Sequence, residues 1–105
     1  MKICGEVKNG DLRLELSGEL DHHSAKSVMN SAAVIIDEYV PHSCVMDLKD
    51  VGFMDSSGIA LILNVNKRIC NLGGKLKVEN VAKQPMKVIK ASGIERIINI
   101  KEQMI

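Results

Sequence analysis

Aromatic side chains are almost missing from this chain: Phe53 and Tyr39 are the only two, and there is no tryptophan. A platform for single-stranded nucleic acid stacks bases on aromatic faces, so that class has little to work with here. The same shortage means that the core must be built from Ile, Val, Leu, Met and Ala. A surplus of one charge is missing too: 14 Lys and Arg stand against 13 Asp and Glu, for a net charge of +1. The basic residues are dispersed and form no stripe that would track a phosphate backbone, so no nucleic acid partner is expected. Cysteine is scarce and unpaired. Cys4, Cys44 and Cys70 form no C-x-x-C motif, and an odd number does not make a disulfide framework. They read as buried thiols in a reducing compartment. Together with His22, His23 and His42 they show no ligand spacing, so no metal and no cofactor are expected. Long hydrophobic runs are missing as well. The longest, "IALIL", is far too short to span a bilayer, and the opening "MKICGEVKNGDL" has no apolar signal-peptide region. The expectation is a cytoplasmic protein with no membrane partner.

What is present is an ordinary globular composition: 105 residues with an apolar fraction of 46%. That suits one domain over residues 1–105, with one modest core. "KICGEVK" (2–8) reads as a strand, and "NGD" (9–11) as a tight turn, because Asn and Gly tolerate positive φ. In "LRLELSG" (12–18) Leu12, Leu14 and Leu16 alternate with Arg13, Glu15 and Ser17, the period of a strand with one wet face. These two segments predict a hairpin. A loop "ELDHH" follows, and then a helix over 24–39 with Ser24 as its N-cap and Pro41 beyond its end. "SCVMDLKDV" (43–51) predicts a buried strand. After D-S-S-G comes a helix over 58–72, stopped by Gly73-Gly74. Its core stripe is read as Ile59, Ile62, Leu63, Ile69 and Cys70, with Leu61, Val65 and Leu72 partly off it. "KLKVENV" (75–81) predicts a strand, and "KQPMKVIKAS" (83–92) a short helix with Pro85 in its first turn. "IERIINI" (94–100) reads equally as a last strand or a helical turn. The alternation implies an α/β fold: a mixed four- to five-stranded sheet, N-terminal hairpin then parallel crossovers, packed with helices. In such sheets the loops at the carboxyl ends of strands meet ligands and partners. "ELDHH" and "FMDSSG" should then share one edge.

D-S-S-G at the junction of two apolar segments admits three readings: a helix cap, a phosphorylation site or a hydrolase nucleophile. A serine before a helix accepts backbone N–H bonds, but capping does not explain a second hydroxyl on an apolar turn. A hydrolase could draw on Ser56, Asp55 and His22 or His23. It lacks the G-x-S-x-G elbow and a Gly-rich oxyanion loop, and Asp55 is adjacent to Ser56 rather than behind a histidine. A kinase needs a hydroxyl offered from exposed backbone, and a helix N-terminus supplies one. Adjacent histidines point in different directions on most backbones. His22 and His23 therefore read as solvent-facing loop residues rather than a metal clamp.

"LSGELDHHSA" (16–25), "DLKDVGFMDSSGIALIL" (47–63), "GGKLKVENV" (73–81) and "ASGIERII" (91–98) together resemble the STAS family of bacterial anti-anti-sigma proteins. L-D-H-H is similar to the sporulation branch rather than the general-stress branch. The resemblance implies a STAS domain that is a protein-binding switch and not an enzyme. It implies two partners, an anti-sigma factor serine kinase and a PP2C-type phosphatase. It implies phosphorylation at Ser56, the first serine of the motif. It also implies a docking surface with Asp21, Asp55, Ser57 and Gly58, and more weakly His22 and His23. The chain departs from the branch at four positions. Ala60 and Asn64 stand where glycine is usual, and Val65-Asn66 replace a basic–aromatic pair. If those positions contact the kinase, partner specificity differs. The alternatives are a general-stress or other STAS regulator and, from another class, a small serine hydrolase.

Overall fold

A computed structural model describes residues 1–103 of the chain. The first strands, β1 (Lys2–Lys8) and β2 (Asp11–Leu20), form the expected antiparallel hairpin. Asn9 and Gly10 both take positive φ, 55° and 83°, which closes the turn in two residues. Leu12, Leu14 and Leu16 turn to the core, each at most 1% exposed. Helix α1 (His22–Tyr39) leads to β3 (Ser43–Met54), α2 (Ser56–Asn71) to β4 (Leu76–Val81), and α3 (Lys83–Ser92) to a 3₁₀ turn (Ile94–Arg96) and β5 (Asn99–Glu102). The two readings of 94–100 are therefore both realised: the turn comes first and the strand after it.

The strand order is β1-β2-β3-β4-β5, and every pair after the hairpin is parallel. Each crossover steps outward by one strand in the same direction. With right-handed crossovers this puts all three helices on one face. Accordingly α1 packs on α2, and α2 on α3. The core between helices and sheet is wholly aliphatic and sulfur-containing, as the composition demanded; Phe53 and Tyr39 are both exposed. The other face of the sheet is polar. There Asp47, only 1% exposed, accepts a 2.6 Å bond from Arg13 Nη2, a 3.2 Å bond from Asn80 Nδ2 and a 3.0 Å bond from its neighbour Lys49 N–H.

Several expectations need correction. Helix α1 begins at His22, and its N-cap is Asp21. Ser24 is the third helical residue and bonds back to the Asp21 N–H, so the pair forms a capping box. "ELDHH" is thus hardly a loop, and His22 and His23 are first-turn helical residues. Strand β3 runs three residues further than expected, to Met54, which puts D-S-S-G directly at its end. In α2 the buried residues are Gly58, Leu61, Ile62, Val65 and Ile69, while Leu63 and Cys70 are exposed. The true stripe runs 58, 61, 62, 65, 69, and the expected one is rotated from it. Val65, at 0% exposed, is core and offers no surface to a partner. Among the thiols only Cys44 is buried, and burial pushes it up to about 12; Cys4 and Cys70 are exposed.

Candidate functional site

The carboxyl ends of β2 and β3 lie side by side, with Leu20 paired to Met54. Each strand runs straight into a helix through a single aspartate, Asp21 or Asp55. Two helix N-termini are therefore apposed at one edge of the sheet. "ELDHH" and "FMDSSG" do share that edge, as the topology predicted.

Each aspartate caps its own helix. Asp21 Oδ1 accepts from the His23 and Ser24 N–H groups at 3.0 Å each. Those bonds hold its carboxyl below the usual range, the Ser24 N–H contributing most, against a smaller opposing effect of burial. Asp55 Oδ1 accepts from the Ser57 N–H at 2.8 Å. Its other oxygen crosses to the neighbouring helix and accepts the His22 N–H at 3.1 Å. The Asp55 N–H in turn donates to the Leu20 carbonyl at 3.2 Å. One residue thus ties the start of α2 to both the end of β2 and the start of α1. The cap expected among Asp55, Ser56 and Ser57 is Asp55, and both serines are helical residues.

The consequences differ for the two serines. Ser56, the first residue of α2, is exposed; Ser57 is half-buried. Ser57 lines a shallow groove of about 230 Å³ between the two helices, with His22, Ala25, Lys26, Met29 and Ala60. Gly58 is buried against β2 and β3. A Cβ there would come within 2.9 Å of Met54 Sδ and 3.1 Å of Leu20 Cδ2, and closer still to Met54 Cγ. The absent side chain lets the first turn of α2 sit down on the strand ends. The sequence missed this reason for the glycine, and it missed Gln84 altogether. Gln84 reaches from α3 to the backbone of Met54, the residue just before the cap.

Chemically, the site offers an exposed hydroxyl at a helix N-terminus beside two carboxylates. Both oxygens of Asp55 serve backbone N–H donors, and among the described residues no imidazole N–H donates to it, as a hydrolase triad would require. The rings of His22 and His23 meet edge to face, with centroids 6.0 Å apart. Among the described residues no group of three His, Cys, Asp or Glu is placed to hold a metal ion. No helix of the described residues is long and apolar enough to cross a membrane. Of the four departures, Ala60 lines the groove. Asn64 accepts from Arg68 Nε at 3.1 Å, and Asn66 accepts from the Cys70 thiol at 3.7 Å, each one turn along α2. Only Ala60 therefore stands at the edge that carries Ser56.

The comparisons agree with this architecture. A family model for the STAS domain matches residues 4–104. An anti-sigma F factor antagonist of Paenibacillus polymyxa is 35% identical over 95% of this chain and 86% of its own length. An anti-sigma-B factor antagonist of Bacillus subtilis is 29% identical over 95% of this chain and 92% of its own. The anti-sigma factor antagonist SpoIIAA shares the fold. Its unphosphorylated form superposes with a TM-score of 0.79 at 24% identity, covering 94% of this chain and 87% of that one. Its phosphorylated form superposes at 0.70, covering 94% and 90%. With the apposed capped helices, the mixed sheet and a family match along nearly the whole chain, this protein belongs to the STAS domain family, among relatives that are anti-sigma factor antagonists.

Proposed function

We propose that this STAS domain is a phosphorylation-controlled antagonist of an anti-sigma factor. Unphosphorylated, it binds an anti-sigma factor that is also a serine kinase, and the sigma factor is released. The kinase, supplying ATP and Mg²⁺, phosphorylates Ser56 and ends the binding; a PP2C-type phosphatase restores it. The domain works in the cytoplasm and carries no catalytic residue of its own. The docking surface comprises Asp21, His22, His23, Asp55, Ser57 and Gly58.

One observation carries this reading: Ser56 is the exposed first residue of α2, where two helix N-termini meet. A phosphate there adds about −1.5 to −2 charges. The positive ends of both helix dipoles favour that charge, so the fold tolerates it. A partner surface already matched to Asp21 and Asp55 does not. It meets extra like charge, added bulk and a desolvated anion without a counterion. The switch therefore acts on the surface and leaves the fold intact.

The fold neighbour SpoIIAA, an antagonist with both an unphosphorylated and a phosphorylated form, supports the reading. The test is incubation with a candidate anti-sigma kinase and ATP, read by intact mass. One added phosphoryl group, lost in Ser56→Ala and kept in Ser57→Ala, is the expected result. The opposite pattern would place the switch on Ser57. Ser56→Asp should keep its circular dichroism spectrum and bind the kinase less well; a melted Ser56→Asp variant refutes the surface switch. A general-stress antagonist is the second reading, supported by the relative named for sigma-B. Competition between sigma-F-type and sigma-B-type anti-sigma factors for the unphosphorylated protein separates the two.

A further inference from the structure

Strand β3 outruns its neighbour β4. Their pairing ends at Asp47 and Glu79, yet β3 continues to Met54, still paired with β2 on its other side. On the β4 side, a side chain takes the place of a strand. Gln84, in the first turn of α3, accepts the Met54 N–H on Oε1 at 2.8 Å and donates from Nε2 to the Met54 carbonyl at 2.9 Å. A carboxamide has the same donor and acceptor pair as a peptide unit, so this one side chain pairs with Met54 as a strand residue would. Met54 is wholly buried, with its thioether under Gly58, and Asp55 follows it directly. The end of β3 is thus held by three elements: β2 through Leu20, α2 through Gly58, and α3 through Gln84.

We propose that Gln84 is a positioning residue for the phosphoacceptor. It fixes the peptide of Met54, and through Met54 it fixes the Asp55 cap and the direction in which Ser56 leaves the sheet. The positioning role rests on the assignment of Ser56 as the phosphorylated serine. The same contact couples α3, which lies outside the docking surface, to the switch. A hydroxyl displaced by about an ångström can cost a transfer reaction on the order of a hundredfold in rate. Loss of one of three anchors should cost less, about tenfold.

The experiment uses the full chain with Gln84→Ala and with Gln84→Met, which keeps the packing volume and removes both hydrogen bonds. Hydrogen exchange is read first, without any kinase. Both variants should lose protection at the amides of Met54, Ser57 and Gly58, while those of α1 beyond its first turn and of β1 keep theirs. Unchanged protection at Met54 overturns the proposal. If the alanine variant does not fold, the methionine variant decides. Phosphorylation kinetics are read next, at saturating and limiting concentrations of the STAS protein. The expected result is a kcat about tenfold lower with KM little changed, since a misplaced hydroxyl slows transfer more than it weakens docking. An unchanged kcat overturns the positioning role, as does a loss carried entirely by KM. If the unsubstituted protein takes no phosphate on Ser56, it is the phosphoacceptor assignment that fails, and the exchange data still decide whether Gln84 anchors β3.

Discussion

Gly58→Ala should destabilise this protein, although the same exchange stabilises most helices. Alanine is favoured over glycine in a helix by about 1 kcal/mol. Against this stands the contact surface of the first turn of α2. The new methyl group would meet Met54 Sδ at 2.9 Å and Leu20 Cδ2 at 3.1 Å. Both neighbours are 0% exposed, so neither can swing into solvent. Forcing a methyl into a filled core costs about 1–3 kcal/mol. The net loss is then about 0–2 kcal/mol, and each kilocalorie lowers the melting temperature by about 4–8 °C in a domain of this size. A double-mutant cycle makes the test independent of that sum. Met54→Ala alone should cost about 2–5 kcal/mol by leaving a cavity. Adding Gly58→Ala to it places the methyl in that cavity, so the pair should be less destabilising than the sum by at least about 1 kcal/mol. Urea midpoints at constant m-value measure all four proteins. A Gly58→Ala variant stabilised by a full kilocalorie, or a cycle additive to within about 0.5 kcal/mol, would refute the close-approach reasoning. If the clash is relieved by lifting α2, Ser56 moves with it, and the folded fraction should also be a slower kinase substrate.

The other predictions concern the caps, the open face and the thiols. Asp55→Ala removes the cap of α2 and the bond to His22, and should cost about 1–2 kcal/mol; Asp55→Asn, which keeps an acceptor, should cost less, and urea titration compares them. On the open face, burial pushes the Asp47 carboxyl up, but the bonds from Lys49 N–H, Asn80 and Arg13, with the Arg13 charge, outweigh it and leave it lowered. A lowered carboxylate contributes stability above its unfolded pKa of about 3.9, and that contribution is lost as pH falls through the lower folded value. Asp47→Asn should therefore flatten the loss of stability between about pH 5 and pH 2, and parallel urea-midpoint curves for the two proteins would contradict this. Iodoacetamide at mildly alkaline pH should alkylate Cys4 and Cys70 in the native protein and Cys44 only after denaturation, because burial holds its thiol at about 12. Peptide mapping reads the pattern, and early labelling of Cys44 would contradict its burial.

The hairpin was legible because its signals are local: three alternating leucines and a two-residue turn. The meeting of the two motif-bearing edges was legible too, since parallel crossovers leave few alternatives. The face of α2 was not. Gly58 contributes no apolar side chain, so a stripe drawn through the apolar residues starts at Ile59 and lies rotated from the buried face, with exposed Leu63 and Cys70 inside it and buried Leu61 and Val65 at its edge. Serine and aspartate are nearly equal as caps, and the capping box of α1 uses both, so the sequence alone does not favour Asp21 over Ser24, three residues on. The remaining features join residues far apart in the chain. Asp55 meets His22 across 33 positions, and Gln84 meets Met54 across 30. No local pattern marks either bond. The burial of Asp47 under Arg13 and Asn80 likewise follows only from the pairing of β2, β3 and β4.

The double duty of Asp55 limits how the proposed switch could be retuned. In that proposal, the obvious way to change how strongly a phosphate on Ser56 repels a partner is to alter the adjacent carboxylate. Here that carboxylate also ties two helices together, so its charge cannot be removed without loosening the platform that presents the serine. Variation that adjusts partner choice is pushed onto side chains free of that duty. Lys26 and Ala60, on the rim of the groove beside Ser57, are such positions. A lineage of these proteins could exchange partners there while the aspartate–serine pair stayed fixed.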